Sequence, residues 1–169
     1  MELIDTHQHL IYQNEATYSW TKDIPALQSD FTVEDYHNLT KDFNILGTLF
    51  MECAVDDSDY QNESNFINSI MQKTDSGIKG LILSIRPEDD SKFDEWLEES
   101  QSLQVVGYRR VLHVVPDELS QQLNFIENVK KIGRAGKPFD LCYRADQLKI
   151  ALNLSKSCDE MDLILNHCG

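Results

Sequence analysis

The sequence predicts an α/β fold built on a parallel sheet, and three features of the chain indicate this class. Apolar segments typical of strands alternate with amphipathic segments typical of helices along all 169 residues. Several strand segments are almost wholly apolar, as expected of strands buried on both faces. The connections are short, and no change in composition marks a linker. We therefore expect a single domain over residues 1–169, with either an open doubly wound sheet or a (β/α)8 barrel.

Six strands are predicted, each bounded by polar or turn-forming residues. The first begins directly after Met1. Asn44 precedes the second strand, which is a nearly unbroken apolar run, and Pro87 closes the third. The predicted strands are residues 2–9, 45–53, 78–85, 105–112, 138–143 and 161–166.

Five helices are predicted between these strands from apolar residues at three- and four-residue spacing. Thr32 is a predicted N-cap, with Asp35 three residues later, and Gly77 and Gly133 end the second and fourth helices. A long loop over residues 12–30 follows the first strand, and a loop of this length in a compact domain is usually functional. The predicted helices are residues 33–42, 61–74, a segment from Ser91, 116–133 and 145–157.

The charge and cysteine content of the chain restrict the partners and the cellular compartment that we expect for it. The formal net charge is −14 at pH 7, so we expect neither nucleic acid nor an anionic membrane as a partner. The four cysteines form no CxxC pair, which indicates free thiols in a reducing compartment. No leader-like start and no apolar run of about 18 residues is present, so the expected location is cytoplasmic.

The first candidate site is a pair of histidines at the end of the first predicted strand. His7 and His9 are two residues apart, and residues at this spacing on a strand point to one face. Two convergent imidazoles suit a divalent metal or a shared polar substrate, although two surface histidines are the simpler alternative. His167 follows the last predicted strand. Three imidazoles and a water molecule are the ligand pattern of a catalytic zinc site.

Other ionisable residues also fall at predicted strand ends, where parallel α/β folds place their chemistry. Arginines there suit a carboxylate or another anionic group held bidentately, with surface salt bridges as the alternative. His37 is expected on a solvated helix face, whereas His113 could reach the rim of a pocket. No GxGxxG follows the first strand, which argues against a dinucleotide-binding fold. The remaining residues at strand ends are Glu52, Arg86, either Arg109 or Arg110, and Arg144.

The run Ile-Asp-Thr-His-Gln-His at residues 4–9 resembles the strand-one motif of the amidohydrolase superfamily. More narrowly, it resembles the amidohydrolase-2 branch that contains sugar-lactone and pyrone-dicarboxylate lactonases. The similarity extends over nearly the whole chain, with Asn166 where the branch has an aspartate before the strand-six histidine. Further stretches that resemble the branch are residues 18–20, 27–35, 107–109, 139–148 and 163–169.

The resemblance implies a distorted (β/α)8 barrel, of the TIM-barrel type, that opens a sugar lactone or related cyclic ester with an activated water. It also implies a role in carbohydrate metabolism. His7, His9 and His167 would be the catalytic and metal-site positions, with zinc as the first choice of divalent metal. The alternative is no metal, with the histidines polarising the lactone carbonyl directly. The residues implied in holding the substrate, which could itself carry a carboxylate, are Trp20, Arg109 and Arg144.

The chain departs from this pattern because only six of eight barrel strands are predicted. The strand-eight aspartate that the family uses as general base is absent, and Glu52 and Asp5 are the nearest substitutes by strand position. We expect either a shortened form of a longer enzyme or a barrel closed by a partner chain, with a homo-oligomer as one form. The alternative functions are a metal-dependent decarboxylase of the same superfamily and a non-catalytic binding module.

Overall fold

The computed structural model describes all 169 residues. The chain forms two compact units, Met1–Leu83 and Ser84–Gly169. In each unit, parallel strands alternate with helices, so the α/β prediction is confirmed. The single domain over residues 1–169 stays a prediction.

The first unit contains the strands β1 (Glu2–Gln8) and β2 (Asn44–Met51), and all but the last residue of β3 (Ile78–Ser84). β1 pairs with β2 and β2 pairs with β3, and both pairings are parallel. Each strand lies within one or two residues of its predicted position. Its helices are α1 (Val33–Thr40), between β1 and β2, and α2 (Tyr60–Met71), between β2 and β3.

The second unit continues the same alternation with the strands β4 (Val105–Val111), β5 (Phe139–Cys142) and β6 (Leu163–Leu165). β4 pairs with β5 and β5 pairs with β6, again in parallel. β6 has only three residues, which is shorter than the predicted strand over 161–166. Its helices are α3 (Phe93–Glu99), α4 (Leu123–Arg134) and α5 (Leu148–Ser157).

The register between β1 and β2 is irregular beside the candidate histidines. Asp5 pairs with Thr48 and Gln8 pairs with Phe50, so β1 has one more residue than β2 between these points. Such a bulge bends a strand and re-aims its side chains. His7 lies inside the bulge. Strict alternation therefore does not fix the direction of the His7 side chain relative to that of Asp5.

Two helix starts show how far local signals define a helix. α1 begins as predicted, because the Thr32 side chain and the Asp35 carboxylate cap each other's backbone N–H groups. The prediction that the fourth helix begins at residue 116 is wrong. Leu119–Gln121 form a separate 3-10 turn, and the extended Gln122 interrupts the chain before α4. Leu123, predicted in the apolar stripe, is therefore 81% exposed.

Each unit buries its own set of apolar side chains, contributed by the strands and by the inner faces of the helices. The longest helices, α2 and α4, have 12 residues each. None of the helices has both the length and the apolar character that a bilayer crossing needs. The most deeply buried apolar residues of the first unit include Leu10, Phe50, Met51, Ile67 and Leu81, and those of the second unit include Phe93, Tyr108, Phe125, Val129 and Phe139.

Candidate active site

His7 and His9 lie close together at the carboxyl end of β1. Their ring centroids are 4.9 Å apart, and the ring planes are nearly perpendicular, at 83°. His7 is half-buried and His9 is exposed, so both imidazoles are near solvent. Two imidazoles at this separation can present ring nitrogens to one small ligand or ion.

The backbone of β2 fixes the orientation of His9. The His9 Nδ1 atom lies 3.0 Å from the carbonyl oxygen of Met51, the last residue of β2. A carbonyl oxygen can only accept, so Nδ1 carries the hydrogen and donates it. The Nε2 atom of the neutral ring is then the acceptor. Metal-binding histidines commonly anchor their second nitrogen in this way, on a backbone carbonyl.

Cys53 connects the histidine pair to Trp20. The Cys53 Sγ atom lies 3.6 Å from His9 Nδ1, and its thiol donates to the carbonyl oxygen of Leu10 at 3.1 Å. The carbonyl oxygen of Cys53 accepts a hydrogen bond from the Trp20 indole N–H at 2.9 Å. Trp20 therefore lies on the same side of the first unit as the histidines, and its ring stays 46% exposed.

The two carboxylates suggested as substitutes for the missing base both have structural partners. Asp5 accepts hydrogen bonds from the Tyr36 hydroxyl at 2.8 Å and from the His7 backbone N–H at 3.0 Å. Burial, together with this bond to Asp5, raises the pKa of Tyr36. Glu52 is buried, and its Oε2 atom accepts from the backbone N–H of Ala54 at 2.8 Å. Ala54 itself has a left-handed conformation, with φ at +52°.

In the second unit, a buried polar network precedes His167. The Asn166 amide donates to Asp140 Oδ1 at 2.6 Å, and Arg109 Nη1 donates to Asn166 Oδ1 at 3.4 Å. All three side chains are at most 6% exposed. His167 itself is exposed and left-handed, with φ at +56°. Asp140 is not among the predicted site residues, although a charged residue inside an apolar strand is a signal for a role.

The two arginines predicted to hold substrate differ in their surroundings. Arg109 is 3% exposed and contacts the Asn166 amide. Arg144 is at the surface, where its guanidinium lies 3.0 Å from Asp146, 3.9 Å from Asp117 and beside the carbonyl oxygen of His113. The contacts of Arg144 are thus those of a surface salt bridge. A substrate role for either arginine stays a prediction.

The histidine pair of the first unit supplies two imidazole donors of the kind that divalent metals bind. The rings are close, and the Nδ1 anchor of His9 leaves an acceptor nitrogen of the kind that metals prefer. Within either unit, no group of three or more histidine, cysteine or acidic side chains is arranged to hold a metal. His7 and His9 would therefore be the ligands from the first unit. His167 belongs to the second unit, and its role as a third ligand stays a prediction.

Comparisons with known proteins agree with this fold. The chain is 22% identical, over 99% of its length and 62% of the relative's, to the uncharacterized protein y4mH of Sinorhizobium fredii. It matches the zinc-bound structure of an amidohydrolase from Burkholderia multivorans, with 17% identity and a TM-score of 0.82. That match covers 98% of this chain and 57% of the neighbour. A probable 2-pyrone-4,6-dicarboxylic acid hydrolase from Acinetobacter baumannii, with citric acid bound, matches with 16% identity, a TM-score of 0.71, and coverage of 98% and 58%.

These likenesses confirm the predicted fold class, that of the barrel-type α/β amidohydrolases. The chain spans about 60% of the length of the proteins it matches. A sequence model described as Amidohydrolase, Amidohydro_2, matches residues 4–169, which is almost the whole chain. The predicted resemblance is thereby confirmed, and the chain belongs to the Amidohydro_2 family of amidohydrolases.

Proposed function

We propose that this chain carries the histidine centre of a hydrolase that opens a lactone or a related cyclic ester. The observation that carries the proposal is the histidine pair, 4.9 Å apart, with His9 anchored to the Met51 carbonyl oxygen. Family membership supports hydrolysis as the reaction class. The neighbour named as a probable 2-pyrone-4,6-dicarboxylic acid hydrolase supports a cyclic ester that bears carboxylates.

In the proposed reaction, a water oxygen bonds to the ester carbonyl carbon and the ring C–O bond breaks. The proton lost by the water ends on the released oxygen, so the product is an open-chain hydroxy acid or its tautomer. The acceptor nitrogen of His9 is held at the carbonyl end of β2 by the Nδ1 hydrogen bond, so its direction is fixed before substrate arrives. This preorganisation is the contribution of the chain itself.

A divalent metal, when bound, would polarise the ester carbonyl and make a bound water more acidic. His7 and His9 would hold it, and zinc is the first choice because a similar amidohydrolase has a zinc-bound structure. In the metal-free alternative, the two rings act on the carbonyl directly as imidazolium groups. Only in that form does His9 Nε2 also carry a hydrogen, which it can donate to the carbonyl oxygen while Nδ1 stays on Met51.

We propose that Trp20 forms an aromatic wall beside this centre. Its indole N–H is engaged by Cys53, so the exposed part of the side chain is the ring surface. A flat ring surface suits the planar face of an unsaturated lactone. Arg109 and Arg144 remain the proposed partners of a substrate carboxylate, by bidentate donation from the guanidinium.

The experiment is a ring-opening assay of the full chain with a panel of sugar lactones and pyrone carboxylates, with and without added zinc. The variants are His7→Ala and His9→Ala, and the control is His37→Ala, which changes an exposed histidine of α1. We expect turnover that both site variants abolish and the control retains. Turnover that survives both site variants would refute the proposal. Release of carbon dioxide without ring opening would point instead to the decarboxylase alternative.

A further inference from the structure

Polar contacts dock the loop around Trp20 onto the loop that follows β2. The first partner is residues 17–21, here named the Trp20 segment, and the second is residues 53–59, here named the Cys53 loop. The carbonyl oxygen of Thr17 accepts from the Asp56 backbone N–H at 2.9 Å. The Thr17 N–H donates to Asp59 Oδ2 at 2.8 Å. The backbone of Thr17 therefore attaches the first residue of the Trp20 segment to the Cys53 loop.

Asp56 makes the contacts nearest to Trp20. One oxygen of its carboxylate accepts from the Ser19 backbone N–H at 3.2 Å, and the other accepts from the Ser19 hydroxyl at 2.6 Å. Both side chains are half-buried. Because Ser19 directly precedes Trp20, these two hydrogen bonds fix the backbone from which the indole extends to the Cys53 carbonyl oxygen.

The Cys53 loop that receives these contacts is itself held by buried carboxylates. Glu63 Oε1 accepts from the Cys53 backbone N–H at 3.2 Å, and Glu52 Oε2 accepts from that of Ala54. Glu52 and Glu63 are at most 2% exposed. Because two buried carboxylates accept from consecutive backbone N–H groups, the start of the Cys53 loop is rigid.

We propose that Asp56 is a positioning residue that holds Trp20 beside the histidine pair. It acts through Ser19. The Cys53 loop sets the distance between Trp20 and His9, because Cys53 contacts Trp20 through its carbonyl oxygen and His9 through its thiol. The use of Trp20 as a substrate wall rests on the proposed function. The position of Trp20 does not, and it can be measured with no substrate present.

The two tryptophans of the chain make a direct test available. Each indole has one exchangeable N–H, which gives one signal. Each N–H also donates to a backbone carbonyl oxygen, Trp20 to Cys53 and Trp96 to Ser84, so its exchange rate reports whether that hydrogen bond is intact. Hydrogen exchange of the Trp20 signal reports release of the segment, and Trp96 is the internal reference. The variants of the full chain are Asp56→Ala, Asp56→Asn and Ser19→Ala. Asp23→Ala is the matched control, since it removes an exposed carboxylate from the same long loop.

Asp56→Ala removes both hydrogen bonds, so Trp20 exchange should accelerate by about tenfold or more while Trp96 exchange is unchanged. Ser19→Ala removes only the hydroxyl bond, and we expect an acceleration of about threefold. Asp56→Asn keeps an acceptor for the Ser19 N–H and gains an amide that can donate to the hydroxyl, so exchange should stay near the parent rate. Asp23→Ala should do the same.

Unchanged Trp20 exchange in Asp56→Ala would overturn the positioning role, as would equal acceleration at both indoles. In an active preparation, Asp56→Ala should raise KM more than it lowers kcat, because it weakens a substrate contact rather than the histidine centre. Absence of any lactone turnover, combined with the expected exchange pattern, would refute the proposed function and leave the positioning role standing.

Discussion

Asn166→Asp is the substitution whose effect the structure defines best. Asn166 lies between a donor and an acceptor, since Arg109 donates to its oxygen and its nitrogen donates to Asp140 2.6 Å away. An aspartate at this position keeps the contact with Arg109. It replaces the donor toward Asp140 with a second carboxylate oxygen, at a site where both residues are almost fully buried.

The loss of stability can be estimated by comparing two free energies: the repulsion between two charged carboxylates, and the cost of protonating one of them. The charge of a carboxylate is shared by its two oxygens, so the charge centres of the two groups would lie about 4 Å apart. Two unit charges at that distance repel by about 4 kcal/mol at an effective dielectric of about 20. Taking up one proton at neutral pH costs a carboxyl group of ordinary acidity about 4 kcal/mol. The two costs are similar, and the nearby Arg109 offsets part of either. We therefore expect a loss of about 2–4 kcal/mol in the free energy of unfolding at neutral pH.

The pH dependence is the diagnostic part of this prediction. The paired carboxyls retain a proton in the folded variant to higher pH than in the unfolded chain. The folded state therefore binds more protons, and the stability of the variant falls as pH rises. The deficit relative to the parent should be small below about pH 4 and should grow by up to about 1.4 kcal/mol per pH unit above it.

Urea unfolding of the parent, Asn166→Asp and the double variant Asp140→Asn with Asn166→Asp measures this deficit across pH. The double variant exchanges donor and acceptor, because an amide at 140 can donate to a carboxylate at 166. We expect it to recover most of the lost stability and to remove the pH dependence of the deficit. A deficit that does not change with pH, or a double variant no better than the single one, would refute this account of the network.

Two further stability predictions follow from the backbone and the core. Ala54→Gly should raise the free energy of unfolding by about 0.5–1 kcal/mol, because glycine adopts the left-handed φ of +52° without strain; lower stability in urea unfolding would contradict this. Phe125→Ala should cost about 3–5 kcal/mol, since the ring is fully buried and packs against Phe139. Leu123→Ala, at an 81% exposed position of the same helix, should stay within about 0.5 kcal/mol, and equal thermal shifts for the two variants would show the core assignment to be wrong.

The strands and most helices could be predicted because their signals are local. The apolar run of β2 and the Thr32–Asp35 cap need no knowledge of the rest of the chain. The features that define the sites depend on contacts between distant parts of the chain, which are not visible in the sequence. The bulge in β1 exists only relative to β2, and the Asn166–Asp140 bond joins the residue after β6 to a residue of β5.

The histidine pair shows what the sequence can predict about the site and what it cannot. HxH correctly indicated two neighbouring imidazoles, and their rings are close. The anchor on Met51 could not be foreseen, because it depends on where β2 ends beside β1. The fourth helix was misplaced for a similar reason. Its predicted stripe ran through the 3-10 turn at Leu119–Gln121, where apolar spacing does not reveal a change of backbone conformation.

We propose that the Met51 carbonyl oxygen fixes His9 with its hydrogen on Nδ1, so that Nε2 is the nitrogen left to bind a ligand. Long-range proton–nitrogen NMR of the imidazole rings, recorded at a pH where the histidines are neutral, measures this tautomer directly. We expect the Nδ1–H form for His9, with Nε2 as the nitrogen whose signal moves when zinc is added. An Nε2–H form for His9, with Nδ1 unprotonated, would contradict it.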